Sequence, residues 1–285
     1  MFGLAPILTL ARFEAGTLLR NRRAVAALLV YALFTLAAGA ALVWLESILR
    51  DPMQLAQLVA KAKGGSANWK GPTSLEEALA MLVGGDTSLA AKLVGIPLVI
   101  HGFFWVALSF LPFLVALTSH DLMNTELKAG AHRFVLLRLP RGAWLAGRLL
   151  AHLALLVGVT VASNALLLAF AWWKLPSFDV AATALTLLRY WVSTVAWGLP
   201  WLALAALVSA IVDTPGLSLL ALLGAMIALG LGSRYTGLEW ITPSYFKAGL
   251  WRWSAVDVLA SLGAFAAFTA VFLGGAWAVL RGRDL

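Results

Sequence analysis

The chain has 285 residues, of which 62% are hydrophobic and only 12% charged, and its mean hydropathy is +0.90. A soluble domain of this length carries roughly twice that charged fraction, so a water-soluble globular fold is excluded. The net charge of +8 could point to nucleic acid, but the basic residues gather at the ends of apolar runs, where they act as topology signals and lipid-headgroup contacts; the absence of cysteine excludes disulfides, thiolate catalysis and cysteine-held metals.

At the N-terminus, Leu4, Leu8, Ala11, Ala15 and Leu18 recur at spacings of three and four, while Thr9, Arg12 and Thr17 lie off that stripe. Residues 4–19 are therefore expected as an amphipathic helix resting in the headgroup plane on that stripe. A basic cluster, Arg20, Arg22 and Arg23, comes after this apolar stretch, the reverse of the signal-peptide order.

Six apolar runs follow, at roughly 24–45, 93–118, 148–172, 185–212, 217–231 and 255–280. A helix of about twenty such residues crosses about 30 Å of hydrocarbon. The short alternating segments of a membrane barrel are absent. The expected fold is an all-α polytopic membrane protein, a single transmembrane domain over residues 1–285. The fifth run is short and could extend through Asp213 or Tyr235.

Between the first two runs, residues 46–92 balance five acids against five bases. Ser74 and Glu77 form a capping box ahead of Ala78, Leu79 and Leu82, so short helices are expected near 52–62 and 75–83. A lid, a docking surface for an extracytoplasmic partner and a tether all remain open. Residues 119–147 are a charged island with Asp121, Glu126, Lys128, Arg133, Arg138 and Arg141, and Arg148 follows directly. Hydrocarbon excludes such a segment, and its basic excess assigns it to the cytoplasmic side. Eleven of the 21 Lys and Arg residues then face the cytoplasm, with both termini inside.

Residues 233–254 are rich in aromatic rings, among them Tyr235, Trp240, Tyr245, Phe246 and Trp251, and are broken by Pro243 and Gly249. Such rings concentrate at the membrane boundary. The segment is either a plain interfacial belt or a hairpin dipping into the outer leaflet.

Catalytic signatures are missing. No lysine precedes Ser or Thr, so a P-loop cannot be written, and neither H-E-x-x-H nor G-x-S-x-G occurs. Ser163 or Ser193 meeting a histidine in space is the remaining route to serine chemistry. His101 and Asn164 are the most buried polar candidates; His101 suits packing better than proton relay, and Asn164 an interhelical hydrogen bond. Trp197 and Trp201, one turn apart, are candidates to line a conduit together with His101, Asn164 and an outer hairpin of Pro243, Tyr245 and Phe246.

The order Asp121, Glu126, Gly130, Pro140-Arg141, Gly147-Arg148 resembles the cytoplasmic loop of type-2 ATP-binding-cassette (ABC) permeases. The run from Phe13 and Glu14 through Arg20, Arg22 and Arg23 looks like that family's N-terminal elbow helix, here within residues 1–23, and Thr242 to Phe246 with the terminal Arg283 looks like its last outer loop and tail. Ala131 stands where the family often has Thr, and Arg141 follows Pro140 directly.

The resemblance implies a membrane-spanning subunit without catalysis of its own, driven by an ABC ATPase dimer that carries ATP and Mg. It also implies a second permease copy and a bacterial cytoplasmic (inner) membrane. Asp121, Glu126, Lys128, Gly130, Arg133, Pro140 and Arg141 become the ATPase-coupling set, with Glu126 as a solvent-facing carboxylate offered to a groove on the ATPase. An ATP-independent carrier or channel, and a scaffold anchoring an outer partner, are the alternatives. No cofactor, metal or nucleic acid is expected on this chain.

Overall fold

The computed structural model describes residues 4–51, 53–54, 57, 74–82, 85–94, 97–130, 136–137, 139–174, 180–251 and 254–283. Arg133, Arg138 and most of the helix expected at 52–62 lie outside them. Among the described residues all regular structure is helical. The elements are α1 (Leu4–Arg20), α2 (Arg22–Arg50), α3 (Leu75–Leu82), α4 (Thr87–Leu93), α5 (Leu98–Ser119), α6 (Asn124–Ala129), α7 (Arg141–Lys174), α8 (Val180–Ile211), α9 (Pro215–Thr236), α10 (Pro243–Phe246) and α11 (Ala255–Gly282). Two 3-10 turns, Glu239–Ile241 and Lys247–Leu250, flank α10.

Among the described residues, six stretches are long and apolar enough to cross a membrane: Val25–Ile48, Leu98–Ala129, Arg141–Lys174, Thr183–Ile211, Pro215–Gly232 and Ala255–Gly282. They coincide with the six apolar runs, and the chain is a multi-pass membrane protein. The fifth helix gains its length at its far end, through Tyr235, whereas Asp213 stays outside it and pairs with Arg283 at 2.8 Å.

The bundle is built around α5 and α8. In their most apolar stretches 78% and 72% of residues are buried, against 11% in α9 and α11. α8 packs most extensively on α11, α5 on α2, and α7 on α1. Both central helices contain a proline, Pro112 and Pro200. Proline has no N–H to give the carbonyl four residues back. Pro112 thereby frees the Leu108 carbonyl, which accepts a 2.8 Å bond from the indole Nε1 of Trp197 on α8. A break in one central helix thus becomes a tie to the other, as hydrocarbon requires of any freed backbone group.

One boundary differs clearly from the sequence expectation. α7 begins at Arg141 rather than Arg148, so the charged loop is shorter than 119–147. Its 34 residues at about 1.5 Å each run about 51 Å, well beyond about 30 Å of hydrocarbon. The first turns of α7 therefore extend past the apolar layer, which hydropathy cannot register. By contrast, α3 coincides with the capping-box helix, and Ser74 Oγ accepts from Glu77 N at 3.2 Å.

α1 is also rotated about its axis. Leu4 and Leu8 are 75% and 60% exposed, whereas Leu18 is buried and Ile7, Leu10, Ala11 and Glu14 are shielded. The face against α7 is thus Ile7–Leu10–Ala11–Glu14–Leu18, and Leu4, Leu8 and Leu19 form a second, outward apolar face. The helix approaches closely because Gly147 has no side chain: a Cβ there would sit 2.7 Å from Leu10 Cδ2.

Candidate functional site

One end of the bundle gathers α1, residues 120–130, the start of α7, the α8–α9 turn and the end of α11. Arg148 is its centre. The guanidinium donates to Glu14 Oε1 on α1 at 3.2 Å, to Glu126 Oε1 on α6 and to the Leu122 carbonyl ahead of α6. Trp144, one turn earlier and fully buried, donates from Nε1 to Glu126 Oε2 at 3.2 Å. Its ring also lies 5.5 Å from the Arg148 guanidinium carbon, a cation–π contact.

Two carboxylates therefore share one arginine. Burial pushes the Glu14 carboxyl above its ordinary range; Arg148 opposes that rise and the Glu126 carboxylate adds to it. Three segments distant in sequence are held at a single cation.

The remaining loop residues find fixed places around this node. α6 ends on Gly130, whose φ of +70° is the left-handed conformation that glycine accepts at a helix C-terminus. Lys128 and Thr125 are exposed and Asp121 is half-buried. Pro140 precedes α7, with its carbonyl accepting from Ala143 N at 2.9 Å. Arg141 donates from Nη1 to the Leu280 and Arg281 carbonyls, 3.0 Å each, and so caps the C-terminal end of α11. Arg283 reaches Ile211 O at 3.0 Å besides its pair with Asp213, and Ser218 Oγ donates to His120 O at 2.6 Å. On α1 and α2, Phe13 is 70% exposed, and Arg20 and Arg22 are exposed.

Glu126 does not face solvent. Its carboxylate is turned inward onto Arg148 and Trp144, because a buried arginine at the start of a span needs a counter-charge and α6 supplies it. Asn124 is buried as well, and among the described residues neither its Oδ1 nor its Nδ2 has a hydrogen-bond partner. Arg148 is the residue whose central place the sequence reading missed. The available signal was a lone arginine opening a long apolar run, with Glu14 the one acid in the N-terminal helix.

Serine and histidine do meet, but through Ser119 rather than Ser163 or Ser193. Ser119 Oγ lies 2.8 Å from His152 Nδ1, while Ser163 Oγ donates to the Val159 carbonyl. The hollow beside the pair, about 10 Å³, has room for about one water. This contact ties α5 to α7.

At the opposite end, Glu46 is buried and its Oε2 accepts from Val99 N at 3.3 Å, placing a carboxylate on the first turn of α5. His101 is buried with Nδ1 2.8 Å from the Tyr190 hydroxyl, and Tyr190 stacks on Phe104. Asn164 is buried, and among the described residues its Nδ2 has no hydrogen-bond partner. Of the conduit residues, Trp197, Trp201 and Tyr245 line one large groove together; His101, Asn164, Pro243 and Phe246 are not among its walls. The 239–250 segment folds onto α11, where Ser261 Oγ donates to Phe246 O at 2.9 Å. Thr242 caps α10 by accepting from Ser244 N.

No protein-family model and no curated protein matches this chain.

Proposed function

We propose that this chain is the membrane-spanning permease subunit of an ATP-driven ABC transporter. On this reading α1 is the elbow helix and α6 the coupling helix, and separate ATPase subunits on the cytoplasmic face bind and hydrolyse ATP. A second permease copy completes the membrane domain, and export or mechanotransmission is the output. The observation that carries this is the Arg148 node. A displacement of α6 is transmitted through Glu126 and Arg148 into α7, a 34-residue helix continuous from the node to the far side of the bundle. Such discrete repacking of rigid elements is how switching motions travel. Glu14 couples α1 to the same movement.

The inward turn of Glu126 divides the roles. Lys128 and Thr125, exposed on α6, are the residues that meet the ATPase; Glu126 is a positioning residue acting through Arg148. Purification in mild detergent should recover an ATPase subunit at equal stoichiometry. Lys128→Glu should reduce that recovery without changing the melting temperature, while Glu126→Gln should lower the melting temperature. Absence of any co-purifying ATPase from native membranes would refute the reading.

A further inference from the structure

A groove of about 1050 Å³ runs between α5, α8, α9 and the 239–248 segment, just above the range for small-molecule sites, about 300–1,000 Å³. Leu108, Pro112, Phe113, Met226, Ile227 and Leu231 give it long apolar walls. Its character changes at the aromatic segment, where Glu239, Ser244, Tyr245 and Lys247 join the lining. Lys247 is half-buried, and among the described residues its ammonium has no ion pair or hydrogen bond. Glu239 is exposed and is paired neither with Lys247 nor with any other described cation. Trp201, 4% exposed on the groove wall, carries an indole N–H with no acceptor among the described residues.

We propose that this groove binds one zwitterionic phospholipid, its phosphate on Lys247, its amine on Glu239 and an acyl chain along α9. The charges at the groove's polar end are opposite and unpaired, which matches a headgroup carrying both signs. The aromatic segment around them is the kind of boundary at which headgroups sit. A partly buried ammonium without a counter-ion is costly, and burial already lowers the Lys247 pKa. A second copy of this chain is the competing occupant. The groove's polar end favours the lipid, whose headgroup brings a counter-charge to both Lys247 and Glu239, and the second copy is an outcome of the test. The site does not rest on the ATP-driven reading and stands or falls separately.

The test uses the full-length protein in nanodiscs with a phosphatidylethanolamine bearing a photoreactive acyl chain. Labelling should map to residues 223–231 and saturate near one lipid per chain. Lys247→Glu should reduce it by about tenfold, the loss of one charged contact. Ile227→Trp should block it by filling the groove, while Val271→Trp, on the exposed face of α11, should leave it unchanged. Phosphatidylglycerol, which lacks the amine, should compete more weakly than phosphatidylethanolamine. If Ile227→Trp does not insert, the Lys247→Glu and competition arms still decide. Labelling indifferent to Lys247→Glu, equal competition by the two lipids, or disulfide formation between copies of Ile227→Cys with no labelling would each overturn the site.

Discussion

Replacing Arg148 with Met removes the cation that, among the described residues, Glu14 and Glu126 share. The Arg148, Glu14 and Glu126 side chains are 10%, 12% and 23% exposed, so the node is largely shielded but not sealed. Removing one partner of a buried ion pair costs about 3–5 kcal/mol, because the other charge is left uncompensated. The partial exposure of Glu126 favours the lower end, about 3 kcal/mol, or about a hundredfold in the folding equilibrium. Glu126→Gln should cost only about 1 kcal/mol, since its carbonyl still accepts from Trp144 and Arg148 keeps Glu14. Combining Arg148→Met with Glu14→Gln and Glu126→Gln should recover at least half of the single-mutant loss, because no uncompensated charge remains. Denaturant titration in mixed micelles, followed by tryptophan fluorescence, measures all three. An Arg148→Met loss below about 0.5 kcal/mol, within the range of ordinary surface substitutions, would refute the reasoning. A triple variant no more stable than the single one would do the same.

Glu14 binds more protons folded than unfolded, because its pKa is raised above 4.5, so its contribution is full below pH 4.5 and declines as pH rises through the raised value. The melting temperature should fall between pH 4.5 and neutrality more in the wild type than in Glu14→Gln; parallel slopes would contradict this. On α1, Leu10→Asp should destabilise the protein more than Leu8→Asp, because Leu10 packs against Gly147 and Leu8 is exposed; equal melting temperatures in detergent would mean the α1–α7 contact is wrong. Trp197→Phe should cost about 0.6–1.7 kcal/mol by leaving the Leu108 carbonyl unpaired, read as the shift between the two unfolding curves. Cysteines at Ser88 and Lys128, both exposed, should label from opposite sides of the membrane, the first from outside; reaction of both with an impermeant reagent added outside would defeat the orientation.

The six spans were legible in the sequence because hydrocarbon leaves a long apolar run no alternative to a helix. Their number and approximate ends followed from local composition, as did the capping box at Ser74. Pro112 was visible too, yet nothing near it named the indole that would use the carbonyl it freed.

Partner choice is where local reading failed. Leu4, Leu8 and Leu18 share a plausible stripe, but α1 has two apolar faces, and only packing against Gly147 determines which one meets protein. Glu126 reads as solvated beside charged neighbours until Arg148 is brought to it across 22 residues, and Glu14 to the same guanidinium across 134. Hydrophobicity acts on each residue through its own solvent and so is written locally. A buried charge is stable only with a counter-charge at hydrogen-bond distance, and that neighbour is supplied by tertiary structure alone.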